Sequence, residues 1–164
     1  MPFTPFHFGI GVAVHAVAPK KISFLSFCAA NVLIDFEPLY YQFVIAERPY
    51  HRFFHTAAGG TAVLIATLVL FLLSRGLAYY IALPNPFNWQ KLKFPAVLLG
   101  GAFGVYTHVL LDSITHKYLH PFAPLFKTYQ PKFSVLEIHW FCIILGVVGG
   151  IILFVRKFRK NTSV

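Results

Sequence analysis

The sequence predicts an all-α integral-membrane bundle of about five segments, the first short and the second broken. Three observations predict it. Of 164 residues, 57% are hydrophobic and only 12% charged, a balance foreign to ordinary soluble domains. Stretches 57–74, 94–111 and 138–155 carry no formal charge apart from their polar ends, and each approaches the ~20 residues a spanning helix needs. The basic residues also gather at alternate connections, as the positive-inside rule requires of a multi-span chain.

The first segment, 3–19, is apolar but short, with Pro5 near its start and Pro19 at its end. It does not read as a signal peptide, because Lys20 and Lys21 follow the apolar run and no basic residue precedes it. The second, 22–46, is interrupted by Asp35, Glu37 and Pro38, and a broken helix at membrane depth is tolerated where protein buries it. The other three segments are the uninterrupted spans. Cys28 and Cys142 stand alone in apolar surroundings and read as small buried hydrophobes. With no long repeat, low-complexity tract or linker, residues 1–164 form a single domain.

A formal charge of +9 would suit nucleic acid, but its distribution argues against that partner. Lys20, Lys21, Arg75, Lys91, Lys93, Arg156, Lys157, Arg159 and Lys160 fall at alternate connections or in the C-terminal tail, which marks the cytoplasmic face. The basic tail reads as a topology anchor and a contact for anionic lipid. Arg48, Arg52, Lys117, Lys127 and Lys132 lie on the other side with the five acids. Tyr40, Tyr41, Tyr79, Tyr80 and Trp140 fit the interfacial aromatic belts.

That alternation brings polar side chains from every segment to one layer. His7 opens the first, Asp35 and Glu37 close the second, and His51 and His55 precede the third. His108, Asp112 and His116 end the fourth; Glu137 and His139 open the fifth, with roles left open. A charged group within a span costs roughly 2.5–3.5 kcal/mol unless something compensates it, so such a layer points to a cation or a proton path.

The sharpest motif is His108-x-x-x-Asp112-x-x-x-His116. Four-residue spacing sets successive side chains about 6 Å apart on nearly one helix face. His108 and His116, about 12 Å apart along the axis, would not share an ion, whereas Asp112 could serve one with His108 or bridge two. His51-x-x-x-His55 repeats the spacing, and Asp35 offers another hard oxygen. Mixed imidazole and carboxylate ligation suits zinc, with manganese or iron as alternatives. Three further residues keep more than one reading. His7 is a ligand or a cap. Glu37 is a general base, a ligand or a residue of the helix break. Arg52 could hold a phosphate through its fork geometry or pair with Glu47.

Met1-Pro2-Phe3-Thr4-Pro5-Phe6-His7, the Asp35 segment, His51-Arg52-x-x-His55-Thr56 and the run from Gly104 to Asp112 together resemble the inner-membrane metal-dependent hydrolase family, a group with a LexA-binding member. The motif order is also similar to that of zinc phospholipases C and single-strand nucleases. The resemblance covers residues 1 to about 125 and implies metal ligation by His7, Asp35, His51 and/or His55, His108, Asp112 and His116. One departure is Ile34, where the family commonly has proline before the aspartate.

The expectation is a membrane-bound, metal-dependent hydrolase of phosphoesters in a lipid or lipid-linked substrate, with Glu37 and Arg52 as its catalytic side chains. Its site would face the extracytoplasmic side of a bacterial inner membrane. The alternative is a non-catalytic scaffold or regulator with a structural metal site, meeting a cytoplasmic protein through its basic tail or the 83–93 loop.

Overall fold

The computed structural model describes residues 4–48, 50, 52–117, 119–122 and 133–161. His51, Lys127, Lys132 and the first three residues of the opening motif lie outside them. The described residues are all-helical, with α1 (Thr4–Val17), α2 (Phe24–Tyr40), α3 (Ala57–Tyr80), α4 (Phe94–Thr115) and α5 (Val135–Asn161). A π-helical turn, Tyr41–Ile45, prolongs α2, and a 3₁₀ segment, Pro86–Lys91, lies between α3 and α4. Three helices, α3, α4 and α5, are long and apolar enough to cross a membrane. The outer faces of α3 and α5 expose Ile65, Leu73, Ile144, Ile151 and Phe154, which suits lipid contact and not water.

The second segment differs from the sequence expectation in where it is interrupted. α2 passes through Asp35, Glu37 and Pro38 as α-helix and changes pitch only after Tyr40. Proline removes only its own N–H from the ladder, and the Tyr41 N–H reaches back to both the Glu37 and Pro38 carbonyls. The chain therefore widens into π geometry instead of stopping. Left-handed Ala46 ends the element.

α2 and α4 run parallel, held by two rows of residues four apart. On α4 the row is Gly100, Gly104, His108, Asp112; on α2 and its cap it is Ser23, Phe27, Asn31, Asp35. A Cβ on Gly100 would collide with the Ser23 carbonyl, and one on Gly104 would lie 2.6 Å from the Phe27 carbonyl oxygen. The backbones approach that closely only because both positions lack side chains. Ser23 N–H to Ala96 O (2.9 Å) and Ser26 Oγ to Val97 O (2.7 Å) pin the starts of the two helices together. One turn further along, the glycines of α4 give way to polar side chains, which meet those of α2 in the site.

Two apolar clusters flank this seam. Ala30, Ile34, Val63, Leu64, Val105 and Val109 join α2, α3 and α4. Ile10, Phe27, Leu111, Ile138 and Cys142 join α1, α2, α4 and α5. Cys28 and Cys142 are free thiols within apolar packing, as their sequence context predicts. At the start of α5, Ser134 and Glu137 form a capping box: Glu137 Oε2 accepts from Ser134 N–H (2.7 Å) while Ser134 Oγ accepts from Glu137 N–H (3.3 Å). Glu137 is thereby occupied with starting its helix.

A candidate metal centre

Asp35 from α2, His55 from the turn before α3, and His108 and Asp112 from α4 converge, each offering one donor atom, all within 4.8 Å of one another. His108 Nε2 lies 3.2 Å from Asp35 Oδ1 and 3.5 Å from Asp112 Oδ2; His55 Nε2 lies 3.6 Å and 3.5 Å from the same two oxygens. A tetrahedral ion with bonds of about 2.0–2.2 Å sets its ligands roughly 3.4 Å apart, and the four separations bracket that value. His55, His108 and Asp112 are buried, while Asp35 reaches the surface with 13% of its side chain exposed.

The hydrogen bonds around the two imidazoles decide which nitrogen faces inward. Asn31 Nδ2 donates to the Phe27 carbonyl (2.9 Å), which fixes the amide so that Oδ1 points at His108 Nδ1, 2.9 Å away. That oxygen can only accept, so Nδ1 carries a proton, and in the neutral ring Nε2 presents a lone pair to the cluster. Within the described residues, His108 Nε2 is buried with no hydrogen-bond partner, as an atom reserved for a cation would be. Glu37 does the same for His55: its Oε2 lies 3.4 Å from His55 Nδ1 and also accepts from the N–H groups of Arg52 (3.0 Å) and Phe54 (3.0 Å). Burial opposes charge on His55, yet the Asp35 and Glu37 carboxylates outweigh it and raise its pKa. The field at this point draws in a positive charge.

Local sequence explains how the turn delivers His55. Thr56 caps α3, accepting from Gly59 N–H (3.0 Å), and a Cβ on Gly59 would strike the Phe53 carbonyl. The missing side chain lets residues 53–55 fold down onto the helix start.

His7 arrives beside the cluster, with Nε2 3.7 Å from Asp112 Oδ1 and Nδ1 3.1 Å from His108 Nδ1. Because His108 Nδ1 carries its proton toward Asn31, His7 Nδ1 must be the acceptor of that contact. Its own proton then lies on Nε2, facing Asp112. The 3.7 Å separation is too long for a hydrogen bond, so His7 borders the cluster without being tied to Asp112.

The remaining candidates fall at the margin. His116 lies just past the end of α4 and outside the group of four; burial pushes its pKa down and keeps it neutral. His51 lies outside the described residues. The Arg52 guanidinium sits 3.9 Å over the Tyr41 ring and pairs with Glu47 Oε2 at 3.3 Å. Glu37 has its oxygens engaged by the backbone N–H groups of Arg52 and Phe54 and by His55 Nδ1. His139 stacks on Phe6, ring centroids 4.1 Å apart. His120 is partly buried.

Sequence reasoning missed Asn31. The available signal was its place four residues before Asp35 and eight after Ser23, in the row that faces α4. Replacing it by leucine removes the acceptor that fixes the His108 tautomer. We expect Asn31→Leu to weaken metal affinity about 10–100-fold, measured by competition with a chromophoric chelator. No family model, curated protein or solved structure matches the chain, so the site stands on its own geometry.

Proposed function

We propose that the protein is a membrane-embedded, metal-dependent hydrolase that cleaves phosphoester bonds in a lipid or lipid-linked substrate. The observation that carries this reading is the convergence of Asp35, His55, His108 and Asp112 at one end of an apolar bundle, with ligand separations suited to one ion. The resemblance to inner-membrane metal-dependent hydrolases is its second support. Zinc fits the mixed imidazole and carboxylate set best; manganese and iron fit the same donors.

Asp35, His55, His108 and Asp112 would hold a divalent cation, which would lower the pKa of a bound water and polarise a phosphoryl oxygen. The protein's own residues set the stage for that chemistry. Asn31 and Glu37 fix the two imidazole tautomers, and His7 stands beside Asp112. Arg52, 35% exposed at the rim, is the side chain that would meet phosphate charge by leaving Glu47. Asp35 marks the accessible edge, where a headgroup could approach while acyl chains remain in hydrocarbon. Basic residues at the opposite end of the bundle favour an extracytoplasmic location for the site in a bacterial inner membrane.

The second reading is a scaffold or regulator with a structural ion, favoured by the burial of His55, His108 and Asp112. Metal analysis of purified protein, followed by X-ray absorption and a panel of lipid phosphoesters, separates the two. The hydrolase reading expects an ion with a water in its coordination sphere and turnover abolished by chelation. A closed four-ligand ion with no turnover selects the structural reading. Protein that binds no transition metal sinks both.

A further inference from the structure

At the other end of the bundle, we infer a binding site for one anionic phospholipid, with an acyl chain in a slot between α2 and α3 and its phosphate among Lys20, Lys91 and Lys93. The slot is a cavity of 370 Å³, within the range of about 300–1,000 Å³ typical of small-molecule sites. Leu25, Leu33, Leu70, Phe71 and Trp89 are among its walls. Two of its hydroxyls are already committed to backbone carbonyls, Ser26 Oγ to Val97 O (2.7 Å) and Thr67 Oγ1 to Val63 O (2.8 Å). They place little polar demand on an occupant.

A second cavity, 560 Å³, shares Leu25, Phe87 and Leu92 with the slot and holds all three lysines. No acidic side chain lines it among the described residues. Isolated basic residues at a membrane face are ordinary topology anchors. Here three from two connections converge on the mouth of an apolar slot, the charge pattern of an anionic amphiphile in reverse. The 3₁₀ segment completes the mouth. Phe87 and Asn88 both adopt left-handed backbone, a conformation non-glycine residues seldom hold in succession. That geometry leaves Phe87 87% exposed at the junction of the two cavities, and Trp89 is anchored nearby by Nε1 donating to the Pro84 carbonyl (2.9 Å).

Trp89 provides the readout. In a Trp140→Phe background it is the sole tryptophan, and full-length protein is reconstituted in phosphatidylcholine bilayers. A minor fraction of phosphatidylglycerol with dibrominated chains is expected to quench Trp89 at least about fivefold more efficiently than dibrominated phosphatidylcholine, the partitioning one lysine contributes near anionic lipid. Lys20→Gln/Lys91→Gln/Lys93→Gln should abolish the preference, whereas Lys157→Gln/Arg159→Gln in the tail should keep it. Ala29→Phe, which fills the slot and leaves the lysines, should reduce quenching by both lipids. Equal quenching by the two lipids, or a preference that survives loss of the three lysines, overturns the inference. So does reversal by millimolar inorganic phosphate, which would assign the lysines to a free anion. Metal binding is measured on every variant and should not change, because the metal centre lies at the far end.

Discussion

Asp112→Asn is expected to abolish stoichiometric metal binding while leaving the helices in place. Asp112 is the hub of the centre: Oδ2 lies 3.5 Å from both His55 Nε2 and His108 Nε2, and Oδ1 faces His7. Asparagine keeps the shape but removes the charge and turns one donor atom into an N–H₂ group. Affinity should fall at least about 100-fold, beyond the 10–100-fold typical of losing a residue that only supports a ligand. The thermal consequence follows from linkage. An ion present at 100 times its dissociation constant stabilises the folded state by about 2.7 kcal/mol. For a chain of 164 residues that corresponds to about 5–10 °C in Tm. Chelator should therefore lower the melting temperature of the wild-type protein by several degrees and leave Asp112→Asn unmoved. Equal chelator responses in the two proteins would remove the metal from the account.

Much of the fold was legible because lipid imposes simple length and charge rules. Runs 57–74 and 94–111 fall within α3 and α4, and 138–155 falls within α5. The His108–Asp112 pairing was legible for a related reason, since a four-residue interval places two side chains on one face whatever surrounds the helix. What stayed hidden depends on contacts between segments. Glu37 reads as a base, a ligand or a residue of the helix break, and its partners include the backbone N–H groups of Arg52 and Phe54. Loop donors of that kind have no periodicity. The interruption of α2 was misplaced for a local reason: acids beside a proline suggest a stop, but both acids had inward partners and the proline forfeited a single donor. The position of Arg52 over Tyr41 likewise has no signal in the spacing of the sequence.

Gly104→Ala should test whether the α2–α4 row holds the centre together. On helix propensity alone the change would stabilise α4 by up to about 1 kcal/mol. The structure predicts the opposite sign. The new methyl would lie 2.6 Å from the Phe27 carbonyl oxygen, 3.1 Å from Asn31 Nδ2 and 3.2 Å from Ala30 Cβ, and two of those three neighbours belong to the hydrogen bond that orients Asn31. Backbone cannot swing aside as a flexible side chain would, so α2 must move outward. Overpacking of this kind costs about 1–3 kcal/mol, which for a chain of this size is roughly 2–12 °C in Tm. Because the displaced carbonyl fixes Asn31, and Asn31 fixes His108, metal affinity should drop about tenfold although no ligand has changed. Gly76→Ala supplies the comparison: an added Cβ there meets nothing within 4 Å, so stability should hold or rise slightly and metal affinity should stay constant. If Gly104→Ala and Gly76→Ala behave alike, the row of small residues does not set the spacing of the donors.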